Sequence, residues 1–152
     1  DTLSDLDPSN EEYYKENLAT FTEQLNNLDN DFKTQLSNVS NKKIVVSHEA
    51  YSYLCSAYGL EQTSIDGISA DSEPSPAKMK EIADYIKANN IKYIFFEELV
   101  SPKIAQSLAD ETGVQLLALN PFEGLEQEDI DNGADYISVM EENLKNLVTA
   151  LK

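Results

Sequence analysis

The chain contains one histidine, His48, and 28 acidic residues, and these are the side chains most able to bind something. Imidazole with carboxylate oxygen is a ligand set that suits zinc. The acidic residues to weigh beside His48 are Asp66, the pair Glu97–Glu98, and Glu123 within the run NPFEG. Read alone, each has a plainer role as surface charge or helix cap, and a lone histidine is as readily a cap as a ligand. Other chemistries are poorly served. The sequence holds no G-x-G-x-x-G, no G-x-x-x-x-G-K and no G-x-S-x-G, so neither a phosphate-cradling loop nor a nucleophile elbow is written in it. Ser47 adjoins His48, but successive strand residues point to opposite faces, so no Ser–His pair is expected there.

What brings these residues together is an alternation of elements. Apolar residues recur at Tyr14, Leu18, Phe21, Leu25, Leu28, Phe32 and Leu36 in steps of three and four, the stripe of one long helix. Asp7 and Pro8 stand at its start. A helix of about 30 residues is about 45 Å long, more than the roughly 30 Å diameter of a domain this size. It is expected to overhang the domain or to span two lobes. Then KIVVS at 43–47 reads as a strand, 49–58 as a helix closed by Gly59, and 62–68 as a weaker strand. Ser75–Pro76 opens a helix to Asn89, IKYIFF at 91–96 is a strand, and 101–113 a helix ending at Gly113. VQLLAL at 114–119 is the last strand, and 129–151 is helical with an interruption at Gly133.

One helix followed by four βα repeats implies an α/β fold: a four-stranded parallel sheet covered by helices on both faces. Ligands of such sheets bind outside the carboxyl ends of the strands. The four predicted ends fall at Ser47–Glu49, at Asp66–Gly67, at Glu97–Glu98 and at Asn120–Gly124.

The bulk numbers agree. Against 28 acidic residues stand 11 basic ones, all lysine, for a net charge of −17. Such a surface repels phosphate, so no nucleic-acid partner is expected, and it attracts small cations. The single Cys55 excludes an internal disulfide and a multi-cysteine zinc site, and its place in an apolar helix stripe predicts an inert buried thiol. No apolar run is long enough to span a membrane. No signal peptide is present, so the chain looks like a processed product or a piece of a longer protein.

Three stretches carry a resemblance: VVSHEAYSYLCSAYGL at 45–60, GISADSEPSP through LNPFEGL at 67–125, and NGADYISVMEENLKNL at 132–147. Together they resemble the carboxy-terminal half of cluster A-I solute-binding proteins, the zinc and manganese receptors of bacterial ABC importers. The resemblance implies an extracytoplasmic receptor, a cell-surface lipoprotein or periplasmic protein, that delivers metal to a membrane permease and is not an enzyme. It implies that 1–40 is the helix linking two lobes and 41–152 the carboxy-terminal metal-binding lobe. It implies that His48 and Glu123 are metal ligands, with Asp66, Glu97 and Glu98 as candidates to back them. Histidine at position 48 favours zinc, where manganese receptors of the family usually carry glutamate. The family's amino-terminal lobe, with two further histidines, is absent, as is its lipid-anchoring cysteine. Two ligands leave half of zinc's shell to water or another molecule, so the chain is expected to fold but to bind zinc weakly. The stripe that the other lobe would cover is expected to promote self-association. Two other readings are a surface adhesin and an enzyme on a flavodoxin-like sheet with His48, Glu97 and Glu98 around a pocket.

Overall fold

A computed structural model of the chain describes residues 2–65, 74–99 and 101–152. Four parallel strands form its sheet: β1 (Lys43–Val46), β2 (Glu61–Ser64), β3 (Tyr93–Phe96) and β4 (Gln115–Ala118), in the order β2-β1-β3-β4. The helices are α1 (Thr2–Leu6), α2 (Glu11–Ser37), α3 (Ser52–Tyr58), α4 (Pro76–Ala88), α5 (Lys103–Thr112), α6 (Gln127–Asp131) and α7 (Tyr136–Leu151). The expected doubly covered sheet is what forms. Its strands are shorter than the β-branched runs suggested, at four residues each.

Strand alternation divides the core in two. Ile44 and Val46 of β1, with Phe95 of β3, face a layer built from the end of α2, α3 and α7. Val45 and Ile94 face the opposite layer, where Ile82 and Ile86 of α4 meet Ala105 and Leu108 of α5. Both faces of the central strands are thus sealed, which is why β1 reads as a continuous apolar run. Cys55 lies in the first of these layers, and burial pushes its thiol up to about 11, as an inert thiol requires.

The long opening helix starts at Pro8 as the sequence reading has it, but through a 3-10 turn and without the expected Asp7 cap. A separate helix, α1, precedes a 3-10 turn at Pro8–Asn10, and α2 starts at Glu11. Asp7 ties this break with its side chain and leaves the helix backbone uncapped: it accepts from Ser9 Oγ (2.6 Å), Asn10 Nδ2 (2.7 Å) and the Tyr14 hydroxyl (2.9 Å). Those bonds hold its carboxyl below the usual range, Asn10 contributing most. From Glu11, α2 runs 27 residues, about 40 Å, and only Leu28, Phe32 and Leu36 near its end are buried. Leu18 (65% exposed), Phe21 (46%) and Leu25 (37%) continue the same stripe into solvent. The overhang is therefore real and apolar. None of the described helices is long and apolar enough to cross a membrane.

One further boundary moves, and the expected interruption at Gly133 forms. The helix after β1 begins at Ser52 and not at Glu49, because 48–51 form a turn: the Ala50 amide donates to the His48 carbonyl (3.0 Å) and the Tyr51 amide to Gln62 Oε1 (3.2 Å). His48 thus sits in a loop. Near the carboxyl end, Gly133 takes φ +78° and separates α6 from α7, which Asp135 caps in a reciprocal box with Ser138.

Candidate metal centre

The strand order creates the site. From β1 the chain passes through α3 on one face and returns to β2 on one side. From β3 it passes through α5 on the other face and returns to β4 on the opposite side. The carboxyl ends of β1 and β3 therefore diverge into a crevice, the switch point where open α/β sheets bind ligands. His48 lies two residues past β1, and Glu97 directly follows β3. They meet there: His48 Nδ1 abuts Glu97 Oε1, with side chains 12% and 6% exposed. Among the described residues neither atom has another partner, so each is the other's only compensation for burial.

Glu97 is therefore neither the surface charge nor the cap that its plainer reading suggested. Burial pushes its carboxyl above the usual range; His48 opposes this, and the negative charge of Glu123 reinforces it. Tyr51, 5% exposed, also has its hydroxyl raised, first by burial and then by Glu97 and Glu123. Glu123 is thus close enough for both groups to feel its charge, while its own side chain lies in solvent. With Nδ1 engaged, Nε2 is the His48 nitrogen left for a ligand.

The other sequence candidates separate from this cluster. Glu98 is exposed and turns to Asn120, whose Nδ2 donates to it at 3.3 Å. It does not back His48. Asp66 lies outside the described residues. Ser47 is buried, its hydroxyl donating to the Phe95 carbonyl at 3.3 Å. Among the described residues no three His, Cys, Asp or Glu side chains gather closely enough to hold a metal alone. An imidazole whose Nδ1 is taken by a buried carboxylate and whose Nε2 is left for a ligand, flanked by an exposed carboxylate, fits part of a zinc shell.

Sequence reasoning named Asn120 only as part of a strand end and passed over Tyr51 and Asn143. Tyr51 falls within the helix expected over 49–58, where an aromatic residue reads as core. Asn143 carried the one available signal, a carboxamide among the core-facing positions of α7 beside Leu144 and Leu147.

Fold and crevice together define a ligand-binding α/β lobe with a histidine–carboxylate pair at its switch point. The family profile described as zinc-uptake complex component A, periplasmic (ZnuA) matches residues 1–150, and the chain belongs to that family of transport-related solute-binding proteins. It is 44% identical over 147 residues to the zinc-binding lipoprotein AdcA of Streptococcus pneumoniae, covering 97% of this chain and 29% of that protein. It superimposes on the Zn(II)-bound ZnuA-like domain of Streptococcus pneumoniae AdcA with a TM-score of 0.83 at 43% identity, covering 99% of this chain and 56% of that one. Against the laminin-binding protein Lbp of Streptococcus pyogenes the TM-score is 0.86 at 36% identity, with 99% and 58% covered. The chain thus spans less than a third of the AdcA lipoprotein and little more than half of each of these two solved chains.

Proposed function

We propose that this chain is the carboxy-terminal lobe of an extracytoplasmic receptor that binds zinc and hands it to the membrane permease of an ABC importer, without catalysing a reaction. In this reading 1–40 is the linking helix and 41–152 the metal-binding lobe. His48, through Nε2, and the Glu123 carboxylate are two of the zinc ligands. The remaining ligands come from the part of the receptor that this chain does not span. The observation that carries the reading is the contact of His48 with Glu97 at the switch point, since a carboxylate behind an imidazole is the usual support of a zinc-binding histidine. Membership of a zinc-uptake family supports zinc as the cargo.

Zinc is preferred to manganese because imidazole is a better ligand for zinc, while carboxylate oxygen suits manganese. His48→Glu should accordingly shift preference toward manganese in the intact receptor. Leu18, Phe21 and Leu25 form the surface on which the rest of the receptor packs, and in the free chain they favour self-association. An adhesin role is supported by the likeness to a laminin-binding protein. Capture of laminin that persists in chelator would favour it. The enzyme reading has no nucleophile–base pair to stand on.

Crystals of the chain grown with zinc, measured at the zinc absorption edge, test the site. The expected anomalous peak lies between His48 and Glu123. A peak elsewhere, with none at His48, would remove the assignment.

A further inference from the structure

The strand end that precedes Glu123 is bonded more completely than a loop needs. Leu119 and Asn120 follow β4, and all four of their backbone polar groups are paired. The Leu119 amide donates to the Phe96 carbonyl of the neighbouring strand at 2.9 Å. The Leu119 carbonyl accepts from the Tyr51 hydroxyl. The Asn120 amide donates to Asn143 Oδ1 at 2.8 Å, and the Asn120 carbonyl accepts from Asn143 Nδ2 at 2.7 Å. Three elements converge on two residues.

The donors are placed where that convergence matters. Tyr51 comes three residues after His48, in the same turn, and is 5% exposed. Its hydroxyl therefore links the His48 loop to the strand end that carries Glu123. Asn143 is 4% exposed and sits in the middle of α7, where a carboxamide gains little from the helix itself. Its two bonds fasten the same strand end to the helix layer. Beyond Asn120 the constraint continues. Its Oδ1 accepts from the Phe122 amide at 2.8 Å. Phe122 takes φ +61°, a region costly for a bulky residue and found where surrounding bonds enforce it. Its ring meets Tyr136 edge-on at 5.3 Å. Glu123 is the next residue.

We propose that Tyr51 and Asn143 are positioning residues that fix the separation of the His48 loop from the Glu123 loop, so that the two ligands stand ready before metal arrives. The inference rests on the reading of His48 and Glu123 as ligands. A ligand pair held in place spares the ordering cost at the moment of binding. A packing role alone would make the Tyr51 hydroxyl matter for stability and not for affinity.

Tyr51→Phe removes one oxygen and keeps the ring, so it is the informative variant; Asn143→Leu is its companion. Both are measured in this chain beside His48→Ala, Glu123→Ala and Leu108→Ala, the last destabilising but remote from the site. Two readouts are taken: zinc affinity by competition with a chromophoric chelator, and amide hydrogen exchange at Asn120 and Phe122. The expected result is a zinc affinity about 10- to 100-fold weaker in Tyr51→Phe and Asn143→Leu, with Leu108→Ala unchanged. Exchange at Asn120 and Phe122 should quicken in Tyr51→Phe, although neither amide touches Tyr51. If His48→Ala and Glu123→Ala bind zinc as the parent does, the ligand reading fails and the positioning role with it. If those two lose zinc while Tyr51→Phe and Asn143→Leu keep it, the positioning role alone is overturned. If the parent binds too weakly to measure, exchange decides: unchanged rates at Asn120 and Phe122 in Tyr51→Phe overturn the link between the loops.

Discussion

Glu97 shows how a single residue changes meaning between sequence and structure. In a chain with 28 acidic residues it is one carboxylate among many, and nothing about its type sets it apart from Glu98 beside it. Strand alternation turns the two in different directions: Glu97 goes inward to His48 Nδ1, and Glu98 outward to Asn120. The resemblance offered Glu97 among the candidates to back His48, but choosing it over Glu98 depends on β1 and β3 being neighbours, which is a matter of strand order. His48 and Glu123 were legible as candidates, since strand carboxyl ends can be located from the alternation of elements and the resemblance selects among them. Glu97→Ala should leave His48 free to rotate and to exchange tautomers. The expected loss of zinc affinity is about 10- to 100-fold, measured by chelator competition. Nitrogen NMR of His48 should show a mixture of tautomers in the variant and predominantly Nδ1–H in the parent. An unchanged tautomer and affinity would mean that Glu97 does not orient the ring.

At the scale of elements, α2 is the feature that the fold itself does not explain. Its apolar stripe is continuous in sequence, yet this lobe buries only the part from Leu28 onward. The periodicity revealed the stripe but not where burial stops, because burial depends on how far the lobe extends beneath it. Pro8 does open the helical run, but as a 3-10 turn: what the sequence hid is that the side-chain bonds of Asp7 tie that turn and leave the helix backbone uncapped. Replacing Leu18, Phe21 and Leu25 together with serine should abolish self-association at high concentration while changing stability by no more than about 0.5 kcal/mol per site, as for exposed positions. Leu36→Ala, fully buried in the same helix, should cost about 2–5 kcal/mol. Sedimentation and urea unfolding separate the two effects. Equal self-association in the triple variant would move the contact away from the rod.

The molecule as a whole carries a net charge of −17, and among the described residues its lysine–carboxylate pairs sit at the surface, as Lys15–Glu11, Lys33–Asp29 and Lys80–Asp84 do. Exposed pairs of this kind contribute little, so self-repulsion should dominate the electrostatics of folding. The melting temperature is expected to rise between about 10 mM and 500 mM sodium chloride as the charge is screened. A fall would show that the pairs outweigh the repulsion. The same net charge attracts small cations, and at the crevice His48 and Glu123 are proposed to supply half of a zinc shell and the remainder of the receptor the other half. That division is the central claim, and calorimetric titration of zinc into this chain, beside His48→Ala and Glu123→Ala, tests it most directly. The account predicts binding no tighter than about 1 μM, because two protein ligands leave the rest of the tetrahedral shell to water, and its loss in both variants. Nanomolar binding by the monomer, or binding that survives both substitutions, would contradict it.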